Sequence, residues 1–418
     1  MPGPRQTAFN TLRFPDFRLL WLADSVSILG TQIQRMAITW QVFEMTRDPF
    51  QLGLLGLFRF VPVLVFGLFG GVIADHRDRR QVLIFTHIAL MVSTGILAAA
   101  TFTDQASMPL IYTITTISSA LNAMAGPARQ ALIPDLVPRS SLAGAATMVN
   151  LSMQTAMVVG PAIGGIIIGQ TNLGIAYTID TISFVGVIAA AFLISARQES
   201  IQVNERGLSA IRAGFVFLWQ TPILLAVMSL DFIATFFGAI TNLMPIFAEE
   251  IVGGGANALG LLLSAPAAGA VVGSVVFGMF TMPKRPGLAM VGCVLAYGAC
   301  IAGFGLTGNL TLALLFLAGS GAADSISMAM RHAIRNLITP DAYRGRIAAA
   351  HSAFAMGGPQ IGEFRAGAMA STLGAPAAVA IGGFGTILSA IAMVRLVPAL
   401  ARYRSDEDEA PEGLPADA

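Results

Sequence analysis

Eight ionisable side chains stand inside long apolar runs of this 418-residue chain: Asp24, Arg35, Arg59, Asp180, Asp231, Asp324, Glu363 and Arg365. A charge at the centre of a membrane-spanning helix costs about 2.5–3.5 kcal/mol on insertion scales, so each needs a partner or a wet cavity. Acids so placed are suited to binding and releasing a proton, because burial disfavours the carboxylate and a nearby cation favours it. Asp24 and Asp231 are the candidates for that role, and Arg35, Arg59 and Asp324 are candidates for the same polar cavity. Residues for other chemistries are missing. Lys284 is preceded by Met282-Pro283 and followed by Arg285, which leaves no Gly-Lys-Ser/Thr phosphate loop. The histidines His76, His87, His332 and His351 have no metal-ligand spacing, and there is no nucleophile elbow. Cys293 and Cys300 lie about 10 Å apart along one helix face, too far to bridge. The expectation is no enzyme, no cofactor, no metal and no nucleic-acid partner.

The elements that must hold these charges are membrane spans. The chain is 55% apolar and 11% charged, a charge deficit that no soluble class explains, and its 44 glycines and 21 prolines fall largely within apolar runs. Twelve stretches are long enough to cross about 30 Å of hydrocarbon: 17–43, 49–71, 81–102, 108–127, 142–169, 173–195, 222–247, 258–281, 287–306, 310–331, 346–372 and 376–397. Residues 1–16 are polar, and no cleavable signal peptide is expected. All basic residues except Arg35, Arg47, Arg59 and Arg365 fall on one side of this arrangement, which places both termini in the cytoplasm. The expected organisation is a six-helix half over 1–195, a cytoplasmic linker over 196–221, a second six-helix half over 222–398 and a disordered acidic tail over 399–418.

Internal repetition supports two halves. A shift of 207 residues superposes Asp24 on Asp231, Leu52–Leu55 on Leu259–Leu262 and Gly71 on Gly278, and a shift of 202 superposes Arg129 on Arg331 and Gly160 on Gly362. The pattern predicts an all-α membrane protein of twelve spans in two pseudo-symmetric halves, with the halves in the same membrane orientation. Gly-x-x-x-Gly pairs occur only on spans 2, 5, 8 and 11 (for example Gly67/Gly71, Gly160/Gly164 and Gly269/Gly273), and predict that these helices pack across the halves.

Three motifs carry a resemblance. Gly71-Val-Ile-Ala-Asp75-His76-Arg77-Asp78-Arg79-Arg80 resembles the signature loop of the major facilitator superfamily, with His76 and Asp78 departing from its pattern. Gly160-Pro161-Ala162-Ile163-Gly164-Gly165 is similar to the span-5 motif of that superfamily's proton-coupled exporters. Pro127-Ala128-Arg129 through Pro134-Asp135 to Pro138 resembles the branch of enterobactin exporters and related efflux proteins. The resemblance implies a cytoplasmic latch in which Arg79 or Arg80 links Asp75 to an acid after span 4, for which Asp135 is the candidate. It also implies a central cavity ringed by spans 1, 4, 7 and 10, and a carrier of small molecules coupled to protons. The substrate stays open between a siderophore and a range of drug-like amphipathic molecules, as does export against uptake, with a membrane-embedded enzyme a remote alternative. A multi-pass protein of the inner (cytoplasmic) membrane, in contact with lipid and working as a monomer, is expected.

Overall fold

The computed structural model describes residues 8–76, 78–194, 218–219, 221–280, 282–339 and 343–403, and among these it forms helices and no strand. Twelve long helices follow in order: α1 (Pro15–Thr46), α2 (Pro49–His76), α3 (Arg79–Phe102), α4 (Met108–Leu136), α5 (Leu142–Gln170), α6 (Leu173–Leu193), α7 (Pro222–Gly238), α8 (Gly255–Gly278), α9 (Pro286–Leu306), α10 (Leu310–Ile338), α11 (Arg344–Leu373) and α12 (Ala375–Leu396). Nine candidate spans among the described residues are long and apolar enough to cross a membrane. Local chemistry sets their ends. Proline occupies the first turn of α1, α4, α7, α9 and α12, where its missing N–H is an orphan in any case. Asp78, Asn172 and Asn309 cap α3, α6 and α10 by accepting from Arg80 N, Ile175 N and Leu312 N. Asp78, the departure from the signature loop, thus starts α3.

The outer faces are apolar. On α3, Phe85, Ile88, Val92 and Ile96 form an exposed stripe at helical spacing, and Phe384, Leu388 and Ile391 do the same on α12. Water would penalise such surfaces, whereas lipid accepts them. This is an integral membrane protein.

Two compact units are present, one of residues 1–204 with 242–264 and the other of 205–241 with 265–418. The first has a core of Phe17, Leu20, Leu83, Ala128 and Leu132 among others, and the second one of Val227, Met290, Val294, Met330 and Ile334.

The helices depart from the sequence spans in three places. The fourth continues to Leu136 and the tenth to Ile338, which puts Arg129 and Arg331 inside helices rather than in loops. The seventh is broken: α7 ends at Gly238, and a 3₁₀ turn (Thr241–Leu243), a short helical turn (Met244–Ile246) and a π turn (Phe247–Ile251) follow. Backbone groups freed within a membrane must find partners in the protein. Two charges of α11 supply them at the end of α7: Arg365 donates to Phe237 O at 2.8 Å and Phe236 O at 3.3 Å, and Glu363 accepts from Thr241 N at 2.8 Å. The charges of α11 are therefore clamps on a helix break.

The expectation that the glycine pairs pack across the halves holds for Gly165/Gly169 and fails for the other described pairs. A Cβ at Gly160 would lie 2.6 Å from Gln32 Cβ of α1, and one at Gly164 would lie 3.1 Å from Met36 Sδ of the same helix. Gly269 and Gly273 receive α10 at Ala318 and Ala322, and Gly358 and Gly362 receive α7 at Phe232 and Phe236. These three notches seat helices of their own half. The Gly165/Gly169 pair instead meets α8 of the other repeat, with Gly260 Cα 3.1 Å from a Cβ at Gly165 and Asn257 Nδ2 2.9 Å from one at Gly169. Small residues permit close backbones but do not specify the partner. Gly67, Gly71 and Asp75 lie on α2, but their side-chain surroundings are outside the described residues, as are most of the linker, Arg344, Arg346 and the acidic tail.

Candidate functional site

A cavity of about 190 Å³ opens within the first unit, walled by α1, α3, α4, α5 and α6. One wall is charged or polar, with Asp24, Thr31 and Arg35 from α1, His87 from α3, and Asn122 and Arg129 from α4; Ile28, Met153, Met157 and Phe184 make it apolar elsewhere. The α1 residues share a face because 24, 28, 31 and 35 follow the three-and-four spacing of a helix. Arg129 Nη1 donates to Asp24 Oδ1 at 2.8 Å. His87 Nδ1 is turned to Leu83 O at 2.8 Å, which fixes the ring edge-on to Phe184.

The second unit holds the repeat counterpart of this pair. Arg331 Nη1 lies 2.9 Å from Asp231 Oδ1, and its Nη2 lies 3.1 Å from Asp324 Oδ1. Asp24 with Asp231 and Arg129 with Arg331 are the residues that the two shifts superpose, so one acid–arginine link, from the first helix of a half to its fourth, occurs twice.

Arg35 lies exposed on the cavity wall, with Asp180 of α6 the negative charge acting on it. Arg59 is half-buried and donates to Asn242 Oδ1 at 3.2 Å and Thr39 Oγ1 at 3.4 Å, and so serves as a tie from α2 to α1 and the turn after α7. At the start of α3, Arg79 Nη1 bonds Asp135 Oδ2 at 2.9 Å and Ala131 O at 2.8 Å, tying α3 to the end of α4. Arg80 turns to Ala191 O and Phe192 O at the end of α6 instead. Of the latch residues, the structure brings Arg79 and Asp135 together and sends Arg80 elsewhere. In the span-5 motif, Pro161 O abuts Gly260, 2.6 Å from where its Cβ would lie, so α5 is pressed between α1 on its Gly160/Gly164 side and α8 on its Gly165 side.

Sequence reasoning treated Arg129 and Arg331 as loop charges and assigned no role to His87 or Asn122. The signal for the arginines was available, since both were already matched by the repeat shift that also matched Gly160 with Gly362. Glu363, one of the eight charges within the spans, accepts the Thr241 N–H.

The twelve-helix fold, its duplicated ion pairs and its charged cavity define a transporter of the major facilitator type, a carrier of small molecules and not an enzyme. The chain belongs to the transmembrane secretion effector family, which it matches over residues 6–414. It is 27% identical over 409 residues to the enterobactin exporter EntS of Citrobacter koseri, covering 96% of each chain. Against EntS of Escherichia coli it is 26% identical over 394 residues, covering 93% of this chain and 94% of the relative. Among solved structures it is similar to the nucleoside transporter NupG, with a TM-score of 0.73 at 12% identity over 91% of this chain and 99% of that one. A bacterial homologue of the human lysosomal transporter Spinster gives a TM-score of 0.66 at 16% identity, over 93% and 96%.

Proposed function

We propose that this chain exports amphipathic small molecules, siderophore or drug-like, from the cytoplasm in exchange for protons, by alternating access of its two halves. The observation that carries this reading is the cavity of the first unit, where Arg35 and the Asp24–Arg129 pair face Met153, Met157 and Phe184 across about 190 Å³. A site with one charged and one apolar wall suits a ligand with both characters. Methionine and phenylalanine adapt to varied shapes, which suits a range of such ligands. The likeness to enterobactin exporters over nearly the whole chain supports outward transport and a siderophore as the first substrate to try.

In this reading the protein sits in the inner membrane as a monomer in contact with lipid, with both termini cytoplasmic. Arg79 and Asp135, together with Asp75 on α2, form a latch that holds the cytoplasmic ends closed while the site faces outward. The Asp24–Arg129 link must loosen when ligand enters, because a ligand that offers its own charge competes for one of the two partners. Asp231 and Asp324 hold Arg331 in the other half.

Inside-out vesicles carrying this chain, loaded at low internal pH, test the proposal. Enterobactin or a macrolide should accumulate in them, and Asp24→Asn should reduce the accumulation. Movement in the opposite direction would make the chain an importer, and equilibration without accumulation, whatever the pH gradient, would make it a facilitator.

A further inference from the structure

Asp180, on α6, differs from the other acids described within the helices. Asp24, Asp231 and Asp324 each have an arginine nitrogen within 3.1 Å, and Glu363 accepts a backbone N–H at 2.8 Å. Asp180 is 0% exposed, its Oδ1 has one long hydrogen bond from Thr31 Oγ1 at 3.4 Å, its Oδ2 has no partner within hydrogen-bond distance, and the buried Thr94 hydroxyl of α3 is its other polar neighbour. A Cβ at Gly30 would lie 2.9 Å from Oδ1, so the carboxyl is set against bare backbone of α1. An ionised carboxylate held this way would carry its charge out of water with nothing bonded to one oxygen, and proteins escape that cost by leaving such a group neutral.

We infer that Asp180 is the proton-carrying carboxyl of this transporter, an assignment that rests on the proton-exchange reading above and names the residue that performs it. Its surroundings suit the role. Of the helices packed against α6, α1 presents Arg35, α3 presents His87 one turn along beside Phe184, and α5 has no ionisable side chain between Leu142 and Gln170. On α6 itself, Tyr177 is committed to Gln41 Oε1 at 2.7 Å. Thr31 and Arg35 line the cavity and Asp180 does not, so they stand between its carboxyl and the cavity water. In one direction of the exchange the proton leaves from Oδ1, by way of the Thr31 hydroxyl 3.4 Å away, to that water, and the carboxylate left behind is compensated by Arg35. In the other a proton returns by the same hydroxyl and Arg35 is free to face the cavity. Asp24, which already has its counter-charge at 2.8 Å, serves as the ion pair that ligand opens.

The test is spectroscopic first. Infrared spectra of the reconstituted chain in phosphatidylethanolamine/phosphatidylglycerol vesicles at neutral pH should contain the C=O stretch of a protonated, buried carboxyl. The band should vanish in Asp180→Asn, fade when the unaltered protein is titrated to alkaline pH, and move in frequency in Thr31→Val. In the same vesicles Asp180→Asn should lose pH-driven accumulation of enterobactin yet keep exchange of enterobactin at equal pH, because asparagine mimics the neutral acid but cannot give up a proton. A carboxyl band that survives Asp180→Asn, or full pH-driven accumulation by that variant, overturns the assignment. Should the unaltered chain move no enterobactin under any gradient, the substrate reading fails while the band still decides for or against Asp180.

Discussion

Replacing Arg331 by methionine isolates what the duplicated ion pair does for the second unit. Arg331 and Asp231 are 5% and 7% exposed and 2.9 Å apart, so the methionine variant leaves Asp231 buried beside an apolar side chain. Breaking a buried pair from one side costs about 3–5 kcal/mol, since the remaining charge keeps its desolvation penalty and loses its partner. In the first unit, Arg129 and Asp24 are 24% and 9% exposed and face the cavity. Asp24 is itself buried, but Arg129→Met strands one acid where Arg331→Met strands two, and the cavity beside it has room for water. The cost of Arg129→Met should therefore fall between about 1 kcal/mol for exposed pairs and about 3 kcal/mol for sealed ones. Removing both partners, as Asp231→Leu with Arg331→Met, should recover most of the loss, because Asp324 is 44% exposed and needs no arginine to stay solvated. Equilibrium unfolding of the purified protein in mixed micelles with increasing SDS, followed by tryptophan fluorescence, measures all three. If Arg331→Met were no more destabilising than Arg129→Met, or the double variant no better than the single, the two pairs would not differ in burial as argued here.

Two further outcomes follow from packing. Gly165→Val and Gly260→Val should each cost about 1–3 kcal/mol by overpacking the α5–α8 contact, and should slow transport in the vesicle assay. Gly278→Ala, at a position where a Cβ meets nothing within 4 Å, is the neutral comparison, and equal stability of all three would refute the contact. Arg79→Met removes the nitrogen that donates to both Asp135 and Ala131 O, so a loss of about 1 kcal/mol in the same unfolding measurement is expected. A variant as stable as the parent would leave Arg79 as a topological charge only.

The fold was legible because a lipid solvent makes hydropathy nearly sufficient: long apolar runs have no other stable form, and the helix starts at Pro15, Pro49 and Pro222 are written in the chain. What hydropathy could not convey was where a helix continues past the apolar run. Arg129, Asp135 and Arg331 are polar enough to end a span on paper, yet each is inside a helix because a partner waits across the bundle. The break after Gly238 was legible in part, since Pro245 cannot donate to Thr241 O, but the apolar run around it outweighed that signal, and the residues that meet the freed groups, Glu363 and Arg365, lie about 120 residues away. Glycine pairs marked close backbone approach correctly but left the partner helix open, because a notch of one or two missing methyl groups fits any neighbour.

Duplication gave both halves the same link between their first and fourth helices, and the surroundings have divided its work. In the second half Arg331 serves two acids and is sealed, an arrangement that resists loosening because Asp231, left alone, would keep its desolvation penalty. In the first half Arg129 serves one acid at the edge of a cavity, where water and ligand can replace either partner at small cost. A carrier must bind its cargo and then let it go, so the pair that meets the cargo has to be the one that can exchange partners. On the function proposed above, ligand recognition falls to Asp24 and Arg129 and rigidity to Asp231 and Arg331. Charge-reversing the first pair, as Asp24→Arg with Arg129→Asp, should then alter which ligands are moved while the same swap at Asp231 and Arg331 lowers stability alone. The reverse result in vesicle transport and SDS unfolding would assign the roles the other way round.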